Sequence, residues 1–125
     1  MLIAVIGGGA AGFFAAISAA EANATAAVTV FEKSPHFLSK VKVSGGGRCN
    51  FTNIWTDPER HFLSANEHFC KSALSRYTPW DFINMVEDHG IAYHEKKLGQ
   101  QFCDHSAKDL LAMLLQEAQS AGVQI

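Results

Sequence analysis

The sequence predicts an α/β fold organised on a parallel sheet, and three observations carry that prediction. A short apolar run, Leu2-Ile3-Ala4-Val5-Ile6, ends at a cluster of three glycines. An Ala-rich segment with Phe13, Phe14 and Ile17 follows, and then a second β-branched run, Ala27-Val28-Thr29-Val30-Phe31. Strand, glycine turn, helix and strand within about 30 residues is a βαβ unit, whose strands lie parallel and whose crossover is right-handed.

Each element has its own warrant. Leu2 to Ile6 lacks the alternation of a half-exposed strand, so it is expected to be buried on both faces. Residues 1–20 carry no charged side chain, yet they are not a signal peptide, because no basic residue precedes the apolar run and the first lysine is Lys33. Glycines 7–9 also break any continuous helix, each costing about 1 kcal/mol relative to Ala. The helix is therefore expected over Ala10 to Ala22, with Asn23 as its stop. Farther on, Thr78-Pro79-Trp80-Asp81 has the cap, first-turn proline and acid of a helix start, with His89-Gly90 as its end. Ile91 to Glu95 and Gln101 to Cys103 read as short strands around a Gly99 turn. Ser106-x-x-Asp109 opens a helix with Leu110, Leu111, Leu114, Leu115 and Ala118 on one stripe, closing at Gly122. Val123-Gln124-Ile125 then starts a third parallel strand. Phe62, Phe69, Tyr77, Trp80 and Phe82 are expected to form helical packing faces in the core rather than a platform for bases.

Composition bounds the function. The chain has 125 residues, 48% of them hydrophobic and 18% charged, which predicts one globular domain with one core. Its net charge of −2 lacks the basic excess of phosphate-backbone binders, so no nucleic-acid partner is expected. No membrane partner is expected either. Cys49, Cys70 and Cys103 are odd in number and form no C-x-x-C pair, which opposes a disulfide framework and fits the reducing cytoplasm. The six histidines show no ligand spacing, so no metal site is expected.

The glycine cluster carries the chemistry. Gly7-x-Gly9-x-x-Gly12 lies between the first strand and the helix: Gly7 for the tight turn, Gly9 for close approach of a pyrophosphate, Gly12 for close packing. Ala10 and Ala11 open the helix, whose free N–H groups and positive dipole end suit a diphosphate. Glu32 follows Gly12 by 20 residues, at the end of the second strand, where a carboxylate accepts from ribose hydroxyls and disfavours a 2′-phosphate. The pattern is a Rossmann-like dinucleotide fold for FAD or NAD. A second cluster, Ser44-Gly45-Gly46-Gly47-Arg48-Cys49-Asn50, adds close-approach glycines, a guanidinium fork for a phosphate and an amide able to read a ring edge.

These residues carry a family resemblance. Gly7 to Gly12, the Glu32-Lys33 pair, the run Val43 to Asn53 and Leu98-Gly99-Gln100-Gln101-Phe102 resemble the N-terminal part of the BaiN-type, aminoacetone-oxidase-like FAD-dependent oxidoreductases. The S-G-G-G-R-C-N-x-T-N run is its specific element. The resemblance implies a partial Rossmann-like FAD/NAD(P)-binding fold comprising the N-terminal βαβ unit, a Gly-rich loop, a helical insert and the start of the third strand. It implies that Gly7, Gly9, Ala10, Ala11, Gly12, Glu32, Lys33, Ser44, Gly45, Gly46, Arg48, Cys49 and Asn50 line FAD, with NAD(P)H a candidate electron donor. Many members carry Gly-Arg-x-Phe-Pro where this chain has Gly99-Gln100-Gln101-Phe102-Cys103.

Family members are much longer, so the chain reads as the N-terminal part of an FAD-binding domain, with the substrate domain absent and the C-terminal portion of the same protein as a partner. The expected function is a flavoprotein oxidoreductase exchanging hydride or electrons with a small organic substrate, inactive as this piece alone, with its catalytic residues unassigned. The alternatives are an NAD-binding dehydrogenase fragment and a non-catalytic nucleotide-binding module. Cys49 has no nearby cysteine partner, so it is read as a small buried residue beside the cofactor rather than a redox thiol.

Overall fold

A computed structural model describes all 125 residues, and it divides them into two compact units, residues 1–49 with 106–125 and residues 50–105. The length arithmetic predicts one unit. The division arises because residues 50–105 form a sheet of their own rather than extending the first one.

The first unit begins as expected. Strand β1 (Leu2–Ile6) and strand β2 (Ala27–Phe31) pair in parallel from Leu2 opposite Ala27 to Ile6 opposite Phe31, joined by helix α1 (Ala10–Ala22). Asn23 caps the end of α1, its side chain accepting from the Thr25 amide at 3.0 Å. Helix α5 (Ala107–Ser120) starts at Ser106, whose hydroxyl accepts from the Lys108 amide. After it, Gln124 forms a parallel bridge with Thr29, with Val30 N–H donating to Gln124 O and Gln124 N–H to Val28 O. The third strand therefore lies beside β2, and the order runs β1, β2, then residues 123–125.

That order decides the burial. Both crossovers step in the same direction, so right-handedness places α1 and α5 on one face of the sheet. Phe13, Ala16, Ile17, Val28, Val30, Leu110, Met113 and Leu114 form the core there. The opposite face is bare: Leu2 is 78% and Ile6 81% exposed, and Ala4 and Phe31 are exposed with them. The expectation that Leu2 to Ile6 is buried on both faces is thus corrected, because these residues supply helices to only one side.

Between β2 and the second unit run a short helix, α2 (Ser39–Val43), and a 3₁₀ turn over Ser44–Gly47. The second unit contains strand β3 (Asn50–Asn53), helix α3 (Lys71–Arg76), helix α4 (Pro79–Asp88), strand β4 (Tyr93–Glu95) and strand β5 (Gln100–Cys103). The three strands pair antiparallel in the order β3-β5-β4. Helix α4 has the anticipated capping box: Thr78 N–H donates to the Asp81 carboxylate at 2.6 Å, and Thr78 Oγ1 accepts from the Asp81 amide. Phe51 meets Phe82 and Tyr93 edge-on, with ring centroids 5.7 and 5.6 Å apart.

The aromatic core anticipated for this segment is mostly not formed. Phe62, Phe69, Tyr77 and Trp80 are exposed, and only Phe82 joins the cluster. Residues 56–70 form no helix, so nothing gathers Phe62 and Phe69, while Trp80 lies in α4 but is not among its buried residues Ile83 and Val86.

Gly12 sets a hard limit on the first unit. A Cβ built there would lie 1.9 Å from Gly7 O. Gly12→Ala is expected to cost upward of about 2 kcal/mol by overpacking against backbone, lowering the thermal midpoint by roughly 10 °C. Circular dichroism melting of the variant against the parent checks this.

Candidate cofactor site

The glycine turn is built from the end of β1 outward. Gly7 has φ +107°, a backbone that disfavours any L side chain, and its N–H donates to Phe31 O at 2.8 Å. The chain can therefore leave β1 and enter α1 within three residues. Gly12 makes its close approach to the Gly7 carbonyl of this turn, with Val5 Cγ1 farther off at 3.6 Å from the added Cβ. The third glycine thus clears the turn itself more than the strand.

Glu32 ties β2 to the turn. Its Oε2 accepts from Gly8 N–H at 2.7 Å and its Oε1 from Ser34 N–H at 2.8 Å. These backbone donations, from Ser34 first and then Gly8, hold the carboxyl below the ordinary carboxylate value of 4.5. A carboxylate offers about four lone-pair positions, so two acceptor positions remain for ribose hydroxyls. Sequence reasoning missed Gly8. A Cβ there would meet Glu32 Cβ and Phe37 Cβ at 3.0 Å, and Gly8 O accepts from Leu38 N–H at 2.7 Å. The available signal was the unbroken glycine triplet, which goes beyond the two glycines that the spacing rule uses.

Gly9, Ala10 and Ala11 form an exposed, uncapped helix start. Gly9 is the N-cap of α1 with no side-chain cap bond, and the first turn carries no acid. A Cβ on Gly9 would meet nothing within 4 Å, although its φ of −88° suits any residue. Open space before unpaired helix N–H groups is what a pyrophosphate needs. The donor set here fits the ADP half of a dinucleotide.

The second glycine cluster lies in the same unit up to Cys49. Gly45 and Gly46 take left-handed φ values of 56° and 67°, which coil the Ser44–Gly47 turn. Ser44 Oγ donates to Val41 O at 2.7 Å, and Cys49 N–H donates to Ser44 O at 3.0 Å. Arg48 and Lys33 are exposed. Cys49 is only 6% exposed, and burial pushes its thiol up against a weaker opposing hydrogen bond with Ser44. A neutral buried thiol is a poor nucleophile. Asn50 begins the second unit, where its amide, with the nitrogen toward the Gln101 and Thr52 carbonyls, lies 3.2 Å from each. Among the histidines, cysteines and acids, no group is arranged to hold a metal ion.

Comparison with known proteins then places the chain. The description "HI0933-like protein Rossmann domain" matches residues 1–125 in full. The chain belongs to the HI0933-like family. Its Rossmann domain is of the FAD-binding oxidoreductase kind that the motif resemblance indicates. The chain is 50% identical over 119 residues to the ribosomal RNA dihydrouridine synthase of Escherichia coli, covering 95% of this chain and 29% of that protein. It is 50% identical over 121 residues to the enzyme of the same name from Haemophilus influenzae, covering 97% and 29%. The 3-dehydro-bile acid delta(4,6)-reductase of Clostridium scindens is 45% identical over 89 residues, 71% of this chain and 22% of that protein. The chain thus spans under a third of the length of these relatives. The crystal structure of Thermovibrio ammonificans THI4 matches 98% of this chain and 36% of its own with a TM-score of 0.56 at 18% identity, which shows the fold. Two of these relatives are named for an RNA, so the expectation of no nucleic-acid partner, drawn from net charge, finds no support. No helix is long and apolar enough to cross a membrane.

Two outcomes follow from this geometry. Gly9→Val is expected to leave the unliganded fold within about 0.5 kcal/mol of the parent while weakening dinucleotide binding at least about tenfold, as read by chemical denaturation and ligand titration. Glu32 contributes stability as a carboxylate, because its folded value is depressed. That contribution is present above 4.5 and is lost as pH falls through the lower folded value. The stability difference between the parent and Glu32→Gln should therefore hold steady near neutrality and shrink on acidification, checked by melting across the acid range.

Proposed function

We propose that this chain is the FAD-binding portion of a flavin-dependent reductase that saturates a carbon–carbon double bond, with uridine in ribosomal RNA as the substrate class. The observation that carries the FAD reading is the glycine turn with Glu32 clamped to Gly8 N–H, open space at Gly9 and an uncapped helix start. In this reading Gly9, Ala10 and Ala11 face the pyrophosphate and Glu32 takes the adenosine ribose. Ser44, Gly45, Gly46, Arg48, Cys49 and Asn50 serve the flavin half, and Lys33 stands beside the ribose. FAD, when bound, supplies the two-electron chemistry.

The substrate reading draws on the relatives. Two proteins 50% identical across nearly all of this chain are named for making dihydrouridine in ribosomal RNA. A third is named as a reductase of a bile acid. Uridine becomes dihydrouridine when two electrons and two protons saturate the C5–C6 bond, so both names describe reduction of an unsaturated ring. NAD(P)H is the candidate source of those electrons. The small organic substrate expected from the motifs gives way here to a base within RNA. An NAD-linked dehydrogenase leaves the Ser44 to Asn50 cluster without a role, and family membership opposes a non-catalytic module.

Ribosomal RNA from cells with and without the gene for the intact protein tests the reading. Mass spectrometry of its nucleosides should show dihydrouridine that depends on the gene and falls strongly when Gly9→Val replaces the parent. Dihydrouridine unchanged by loss of the gene contradicts it.

A further inference from the structure

The peptide between Gly8 and Gly9 is the part of the glycine turn freest to rotate, because neither residue has a Cβ to oppose the motion. Its orientation decides what the turn offers to a ligand. In a trans peptide the C=O and N–H point in opposite directions, and no peptide bond of the chain is cis. With the Gly8 carbonyl turned into the protein, the Gly9 N–H faces out as a donor. Flipped, the same peptide would set a carbonyl dipole against a diphosphate.

One contact selects between these orientations. Gly8 O accepts from the N–H of Leu38 at 2.7 Å, and the Gly9 N–H has no acceptor within the chain. Gly8 is thus held at both of its polar groups, at its N–H by Glu32 and at its C=O by Leu38.

Leu38 makes that contact in a conformation that leucine rarely adopts. Its φ of 55° and ψ of 25° lie in the left-handed region, where Cβ crowds the following carbonyl oxygen. Such strain persists only where the surroundings over-determine it. The Leu38 side chain is 1% exposed, and its carbonyl accepts from Lys42 N–H at 3.0 Å. The preceding residue, Phe37, sets its ring 6.0 Å from that of Phe13, which is fully buried in α1. The approach to Leu38 is tied down as well: Ser34 N–H donates to Glu32 Oε1, His36 N–H to Ser34 Oγ and Ser39 Oγ to His36 O. All of these groups belong to the first unit.

We propose that Leu38 is a positioning residue for the cofactor: its left-handed backbone latches the Gly8 carbonyl, so that the Gly9 N–H is aimed at the diphosphate before FAD arrives. The proposal rests on the FAD reading above and adds to it the residue that orients the turn.

Two substitutions separate the backbone of Leu38 from its side chain. Leu38→Ile keeps the apolar volume, but a β-branched residue resists the left-handed region. Leu38→Gly deletes the side chain yet adopts that region freely. The flavin-free intact protein is titrated with FAD and followed by flavin fluorescence, below the melting midpoint of each variant. Leu38→Ile is expected to weaken FAD binding about tenfold, the scale of forcing one branched residue into the left-handed region. Leu38→Gly is expected to recover most of that loss, although deleting a buried side chain lowers its melting midpoint below that of the parent. Packing alone predicts the opposite order. Binding by Leu38→Gly as weak as that by Leu38→Ile, or weaker, therefore overturns the proposal, as does unchanged affinity in Leu38→Ile. Hydrogen exchange in the parent gives a check that needs no variant: the Leu38 amide should be protected before FAD is added, and exchange as fast as an unbonded loop amide contradicts the latch. A parent that binds no FAD overturns the cofactor reading and the latch with it. A parent that binds FAD, with the two variants in the packing order, overturns the latch alone.

Discussion

The contact on which the first unit depends is the carboxylate of Glu32 against the N–H of Gly8, 2.7 Å away. It joins the end of β2 to the turn after β1, which lie 24 residues apart in sequence. A charge-assisted bond of this kind is stronger than a neutral one and holds the backbone in the shape that exposes the next amides. Gly8 also has Glu32 and Phe37 packed where a side chain would be, and Gly12 has the Gly7 carbonyl there. The loop is therefore defined twice, by a hydrogen bond and by lack of space. Gly9, between them, faces open room, as does Gly7, where the positive φ rather than lack of space disfavours a side chain.

That arrangement links fold to function. The parallel pairing of β1 and β2 brings the carboxylate and the turn to the same end of the sheet, where α1 begins. The helix N-terminus supplies donors and a positive dipole end, while Glu32 supplies acceptors. A ligand with a diphosphate beside a ribose satisfies both at once. Cys49, buried and kept neutral by its surroundings, has the place of a packing residue rather than of a thiol nucleophile.

Legibility in the sequence followed the range of the interactions. The βαβ unit, the caps at Asn23, Thr78 and Ser106, and the third strand after Gly122 rest on local chemistry, and each stands where its residues indicate. That a sheet of so few strands leaves one face uncovered follows from its strand count; which face it is was illegible, because an apolar strand does not say which side its helices take. That depends on the direction of two crossovers. The separate antiparallel sheet of residues 50–105 was hidden because β3 is only four residues long and pairs with β5, about 50 positions away. The exposed rings of Phe62 and Phe69 were misread as core, since aromatic content was taken as packing where no helix forms to gather it, and Trp80 because it falls on the exposed side of α4. Gly8 was overlooked because the motif rule counts the glycines that flank it.

The central claim, that the glycine turn and the start of α1 hold the ADP half of FAD, is tested most directly by nuclear magnetic resonance of ¹⁵N-labelled protein titrated with FAD. The account predicts that the amide signals of Gly8, Gly9, Ala10 and Ala11 shift together and saturably. Saturating FAD that leaves those four amides unmoved would contradict it.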